Sequence, residues 1–134
     1  MTSVFIDTNL LIYLNTPSAD FDECAVFYEN EIEGNHAFTN IIVIDELLHV
    51  SKKKYKIPYS TTLDFIDSTV VPFVDVLSVD LSTYTTMKEV IKYCSKPSDA
   101  LIVATMKNHS VGVILSEDAG FDDIPFIERR WISH

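Results

Sequence analysis

Residues 4–12, Val4-Phe5-Ile6-Asp7-Thr8-Asn9-Leu10-Leu11-Ile12, carry an apolar triplet straight into an acid and then into a second apolar stretch. A triplet with no polar alternation suits a strand covered on both faces, as in a parallel sheet packed between helices. Leu10, Leu11, Ile12 and Leu14 then read as a short helix stopped near Pro17. Asp7 therefore stands at the carboxyl end of a strand, the end at which open parallel sheets bind ligands.

The same alternation continues outward from this stretch. Asp20 and Glu23 form a capping-box-like pair before a helix whose Phe21, Cys24, Ala25, Tyr28 and Ile32 share an apolar face, and Gly34 ends it. His36 to Thr39 reads as a second strand, and Asn40 caps a helix from Ile41 to about Lys54. Another helix is expected from Ser60 to about Ser68. Val70 to Val79, rich in β-branched residues, is expected to be a third strand with Pro72 near its start. Asp80 caps a helix in which Leu81, Tyr84, Met87, Val90, Ile91 and Cys94 share a stripe. Lys96-Pro97-Ser98 breaks that helix and opens the next, from Asp99 to His109. Val111 to Leu115 is a fourth strand, and Ile124 to Ile132, past a turn at Gly120, has room for a last short one. Alternating strands and helices predict right-handed β-α-β units. The expectation is an α/β fold, one domain over residues 1–134, built as an α/β/α sandwich with a mostly parallel four- or five-stranded sheet.

Bulk properties exclude several classes. A chain of 134 residues buries roughly two-thirds of its unfolded surface and needs no staples. Its 47% hydrophobic content rules out a disordered chain. Cys24 and Cys94 fall at apolar positions far apart, which reads as reduced core thiols. The amino terminus has no basic region and its apolar stretch is broken by Asp7, so it makes a poor signal peptide. No run reaches the ~18 apolar residues of a membrane span. These features together lead us to expect a cytoplasmic protein without membrane contact. The formal charge of −10 argues against a general nucleic-acid binder with a basic face. It fits a protein with a basic partner, or one whose acids bind cations.

Four acids fall where such cations would be held. Asp7 follows the first strand and Asp118 the fourth. Asp99 lies in the first turn of a helix, where the macrodipole favours an anion. Glu46 lies beside the apolar face of its helix, a turn from Ile42 and Val50. Each has a plainer reading: a cap for Asp7, a first-turn acid for Asp99, a turn residue for Asp118 before Gly120, a snorkelling side chain for Glu46. Converging carboxylates without a cation would repel one another, and a divalent ion with all-oxygen ligands resolves that conflict. On the residues alone, a phosphate-accepting receiver or a phosphatase remains an alternative.

Four motifs go further. Val4-Phe5-Ile6-Asp7-Thr8-Asn9 resembles the opening of a PIN domain, a family whose first strand ends in Asp, then Thr or Ser, then Asn. Ile44-Asp45-Glu46-Leu47-Leu48 resembles the family's helix with an acid. Ser98-Asp99-Ala100-Leu101-Ile102-Val103-Ala104 resembles its Asp-Ala-x-Ile-x-Ala segment, and Val113 to Pro125 its closing signature. Each motif alone is weak, but the series is specific and spans nearly the whole chain. The resemblance implies a parallel sheet, an acidic pocket for Mg²⁺ or Mn²⁺, and cleavage of single-stranded RNA. Compact members of this length are often VapC-like toxins, usually homodimeric and paired with a small antitoxin. Carried over by position, Asp7, Glu46, Asp99 and Asp118 are the catalytic acids, with Asp7, Asp99 and Asp118 as direct metal ligands. Thr8 and Ser116 are orienting hydroxyls, and Asn9 is a supporting donor. Many relatives have an acid directly before the closing Phe, where this chain has Gly120. Asp122 or Glu117 is then the candidate to support Asp118. A catalytically inactive PIN-like module that only binds a partner or RNA is the competing expectation.

The resemblance eases the conflict with charge, since two Mg²⁺ would bring −10 to about −6. Lys52-Lys53-Lys54-Tyr55-Lys56, with Arg129 and Arg130, is a candidate contact for an RNA backbone. The lysine run equally complements the dipole at a helix end. His36, His49, His109 and His134 show no paired metal spacing. Three glycines leave no Gly-rich phosphate loop, and no Gly-x-Ser-x-Gly elbow suggests acyl transfer.

Overall fold

The computed structural model describes residues 1–133, so His134 lies outside the described residues. Strand β1 (Ser3–Ile6) buries Val4, Phe5 and Ile6 completely. It is followed by α1 (Thr8–Asn15), α2 (Phe21–Gly34), β2 (His36–Asn40), α3 (Ile41–Tyr55), α4 (Tyr59–Phe65), β3 (Asp75–Leu77), α5 (Leu81–Val90), α6 (Pro97–Asn108), β4 (Val113–Leu115) and β5 (Glu128–Arg130). The five strands form one parallel sheet in the order β3-β2-β1-β4-β5. With six helices around it, the fold is the expected α/β/α sandwich, and the fifth strand is present.

The strand order positions the site. From β1 the chain winds outward to β2 and β3, then returns to lay β4 on the other side of β1. Where the winding reverses, loops leave neighbouring strands toward opposite faces and open a crevice. Ile6 pairs with Leu115, and the Asp7 N–H donates to the Leu115 carbonyl at 3.1 Å. Asp7 and Ser116 therefore leave the sheet side by side. Helix α6 joins the same core, with Ala100, Ile102, Val103, Ala104 and Met106 all fully buried.

Side-chain caps hold the helices that approach the crevice. The fully buried Asn40 accepts the Val43 N–H at 3.1 Å and donates to the Thr105 hydroxyl at 3.0 Å, so it caps α3 and ties it to α6. Asp80 caps α5 in a box completed by Thr83. Thr39 donates to the Ile6 carbonyl at 2.9 Å, binding β2 to the end of β1.

Local expectations fail in three places. The Asp20–Glu23 capping box does not form. Asp20 has φ −92° and ψ 2°, outside the extended conformation from which a side chain reaches back to the helix amides. Val70 to Val79 is not one strand, because only Asp75–Leu77 pairs. The preceding residues Ile66–Val70 form a wide π-turn whose Thr69 carbonyl accepts the Tyr28 hydroxyl at 2.7 Å. Pro72, lacking an N–H, then falls in a turn. Only half of the α5 stripe faces inward, with Val90 in the core and Met87 and Cys94 packed against it. Leu81, Tyr84 and Ile91 are exposed, while Thr83 and Val90 are buried and Met87 packs partly inside. The inward side of α5 is therefore a mixture of polar Thr83 and apolar Met87 and Val90. Cys24 and Cys94 are both free, the first buried and the second half-buried. No helix among the described residues is long and apolar enough to cross a membrane.

Candidate active site

Asp7 ends β1 and caps α1, only 8% exposed. Its Oδ1 accepts the Thr8 N–H at 2.8 Å, and its Oδ2 accepts the Ser116 hydroxyl at 2.7 Å. The plain cap reading and the site reading thus both hold for this one side chain. Ser116 is fully buried and triply engaged. It donates to Asp7 and accepts from Asn9 Nδ2 at 3.3 Å and from the Asp118 N–H at 3.1 Å. Asn9 accepts the Glu117 N–H at 3.3 Å through its other amide atom. Asn9 and Ser116 therefore lock the start of α1 to the loop after β4.

Glu46 approaches from α3. Its Oε2 accepts the Thr8 hydroxyl at 3.4 Å, and its Oε1 is buried with no hydrogen-bond partner among the described residues. Asp99, 8% exposed, stands in the first turn of α6 behind Pro97 and accepts the Ser95 hydroxyl over a long 3.5 Å. Asp118 accepts the Gly120 N–H at 2.9 Å and caps the 3-10 turn Ala119–Asp123.

The fold brings the four acids near enough to act on one another. Burial raises the Asp7 carboxyl above its ordinary value; hydrogen bonds from Ser116 and Thr8 offset part of this, and Glu46 and Asp118 push it further up. Burial likewise raises Asp99, with Asp7 and Asp118 adding to the rise and Lys96 opposing it. Glu46 is raised by burial and by Asp99, again opposed by Lys96 and by the Thr8 hydroxyl. The acids nevertheless do not form a closed cage. Among the described residues no three metal-ligating side chains stand together closely enough to hold an ion as they are placed.

Two basic residues border this group: Lys96, expected only as part of a helix break, and Arg129, expected only as an RNA-backbone contact. Lys96 occupies the N-cap position of α6 without capping it, and its charge is felt by both Glu46 and Asp99. A lysine at the positive end of a helix dipole is an unfavourable placement, and that oddity was the available signal. Arg129, on β5, binds Asp122 through two nitrogens at 3.0 and 3.1 Å and donates to the Ser116 carbonyl at 3.2 Å.

The supporting candidates are thereby sorted. Asp122 is occupied by Arg129, and Glu117 accepts the Tyr13 hydroxyl at 2.7 Å. Arg130 forms ion pairs with Glu31 at 2.9 Å and Glu128 at 3.5 Å. Of the expected basic track, Arg129 and Arg130 are both paired with the protein's own acids. The lysine run sits at the end of α3, where Lys52 lies 4.3 Å over the Tyr59 ring. A cavity of about 630 Å³ opens elsewhere, between α2 and the tail around Trp131, and none of the four acids lines it.

Residues 4–127 match the PIN domain family. The chain is 32% identical over 139 residues to Ribonuclease VapC2 of Methanocaldococcus jannaschii, covering 93% of this chain and 91% of the relative. Two solved structures share the fold. One is the sarcin–ricin-loop-cleaving toxin VapC20 of Mycobacterium tuberculosis, with a TM-score of 0.75, 14% identity, and coverage of 93% of this chain and 97% of that one. The other is a toxin–antitoxin complex from Klebsiella pneumoniae, with a TM-score of 0.69, 18% identity, and coverage of 97% and 96%.

Proposed function

The chain belongs to the PIN-domain family, and from that premise we propose that it is a metal-dependent endoribonuclease acting on single-stranded RNA, the toxin of a toxin–antitoxin pair. The observation that carries the reading is an acid group at the sheet's switch point in which Asp7 and Asp99 are buried, Glu46 is half-buried and Asp118 is exposed, with Lys96 the basic side chain whose charge reaches Glu46 and Asp99. Among the described residues, Asp7 has no Lys or Arg ion pair and Glu46 Oε1 has no hydrogen-bond partner. Such groups are costly unless a positive charge meets them. The donor set is all oxygen, which fits Mg²⁺ or Mn²⁺.

Asp7, Asp99 and Asp118 would hold the ion, and Glu46 would ligate it or orient water. When bound, such an ion supplies an activated water and positive charge for a phosphodiester undergoing hydrolysis. Ser116 holds Asp7 in place and, through Asn9, keeps α1 and the β4 loop at fixed separation. Thr8 orients Glu46. Lys96 adds a positive charge at the same edge, suited to a phosphate. No side-chain nucleophile is required. The relatives named as a ribonuclease, a cleaving toxin and a toxin–antitoxin complex support the substrate class and a protein partner, which we place on this chain together with a homodimeric, cytoplasmic form.

The test is cleavage of a single-stranded RNA with Mn²⁺, with excess chelator, and by Asp7→Asn. Activity should require the ion and vanish in the variant. Full activity in chelator, or in Asp7→Asn, contradicts the proposal. Gly120 favours a second reading, a non-catalytic module that binds RNA or a partner. Under it, the folded wild type leaves RNA intact at every Mn²⁺ concentration.

A further inference from the structure

The loop that carries Asp118 is held at both ends by one guanidinium. It leaves β4 at Ser116 and completes its 3-10 turn at Asp123. Arg129 Nη1 donates to the Ser116 carbonyl at its start, while Nε and Nη2 grip both Asp122 oxygens near its end. Arg129 is itself fixed by β5, whose residue Arg129 pairs with Ile114 and whose Arg130 carbonyl accepts the Ser116 N–H at 3.2 Å. The loop's opening residue is pinned from the other side, since Glu117 is bound through its N–H by Asn9 and through its carboxylate by Tyr13. Of the loop's acids, Glu117 is engaged by Tyr13 and Asp122 by Arg129, while Asp118 accepts the Gly120 N–H of its own turn. A bidentate arginine–carboxylate pair is strong and directional, and Arg129 is only 22% exposed in its side chain.

We propose that Arg129 is a positioning residue for Asp118: its guanidinium straps Ser116 to Asp122 and so fixes the loop, and Asp122 serves this strap instead of ligating an ion. Gly120 then needs no substitute acid, because the loop's order comes from β5. The ion-binding part rests on the proposed function, while the strap itself does not.

Charge alone and the strap predict opposite signs. Removing a cation beside Asp118 would, by electrostatics, tighten binding of Mn²⁺. Losing the strap would weaken it by about 10-fold or more, the usual size of effect for groups that orient a ligand. The experiment uses the full chain and compares wild type, Arg129→Met, Arg129→Lys, Asp122→Asn and Asp118→Asn. It reads amide hydrogen exchange without metal and Mn²⁺ affinity by calorimetry.

The strap predicts that Arg129→Met speeds exchange at the Asp118 and Gly120 amides by at least about 10-fold while β1 amides keep wild-type rates. Arg129→Lys, with one ammonium in place of the fork, should fall between the two. Mn²⁺ should bind Arg129→Met less tightly, and Asp122→Asn should stay much nearer to wild type than Asp118→Asn. Unchanged loop exchange in Arg129→Met overturns the strap. So does Asp122→Asn losing Mn²⁺ as completely as Asp118→Asn with its loop still ordered, because Asp122 would then be a ligand. Should Arg129→Met fail to fold, Asp122→Asn decides: faster exchange at the Asp118 and Gly120 amides with only a partial loss of Mn²⁺ affinity supports the strap, and unchanged loop exchange overturns it. A wild type that takes up no Mn²⁺ refutes the nuclease reading, and the exchange rates still judge the strap.

Discussion

Mn²⁺ at 100 times its dissociation constant should raise the thermal midpoint of the wild-type chain by about 10 °C, and Asp7→Asn should abolish nearly all of that rise. An ion bound only by the folded state stabilises it by about 2.7 kcal/mol at this excess. Unfolding entropy of ~2.1 cal/mol/K per residue, over 134 residues, comes to about 0.28 kcal/mol/K, which converts 2.7 kcal/mol into roughly 10 °C. Asp7 is the most confined acid of the group, gripped at 2.8 Å by Thr8 and at 2.7 Å by Ser116, so its replacement should not be compensated by movement. A 100-fold loss of affinity would leave only about 0.4 kcal/mol at the same concentration, or roughly 1.5 °C. Asp7→Asn is also a strict control for diffuse attraction. It changes a formal charge of −10 by one and leaves the rest of the 20 acidic side chains in place. Differential scanning calorimetry without RNA reads the result independently of activity. Equal shifts in wild type and variant would mean that Mn²⁺ binds elsewhere, and no shift in either would mean that the acids hold no ion.

Three further outcomes follow from the same geometry. Asp7, Glu46 and Asp99 have folded-state values raised above the ordinary 3.8, 4.5 and 3.8, so folding favours their protonated forms. Their stabilising contribution is fully present below those ordinary values and is lost as pH rises through the raised ones. Urea midpoints of the metal-free chain should fall over that window relative to Asp7→Asn, and a flat difference would refute it. Asn40→Ala removes the α3 cap and the bond to Thr105 together, which should cost about 2–3 kcal/mol by chemical denaturation; a loss below about 0.5 kcal/mol would show the cap to be dispensable. Gly120→Asp places a Cβ 3.1 Å from Asp118 Oδ1 and adds a like charge, so the metal-free chain should lose about 1 kcal/mol. Its Mn²⁺-induced thermal shift should exceed that of wild type, and a smaller shift would show that the added acid does not face the ion.

Much of the architecture was legible in the chain itself. Val4-Phe5-Ile6 and Val113-Ile114-Leu115 read as buried parallel strands because strands covered on both faces are uniformly apolar. Asn40 and Asp80 read as caps because a side-chain oxygen before an apolar run has one obvious use. These are local signals, confined to a few residues. The rotation of α5 was only half legible, since Leu81, Tyr84 and Ile91 look as apolar as any inner face. The failed Asp20 box was hidden too, because residue type does not reveal the backbone angles that deny it.

What the sequence determined alone was the kind of chemistry present: acids at strand ends and helix starts, in an order shared with one family. Which of these acids meet one another, and which meet a base, was set by packing. Laying β4 beside β1 brings Ser116 to Asp7 across 109 residues of chain, and β5 then delivers Arg129 to claim Asp122. Periodicity is a property of neighbouring residues, whereas strand order is chosen by burial and hydrogen bonding among segments far apart in the chain. A carboxylate waiting for an ion and one already held by arginine look the same until those segments are packed.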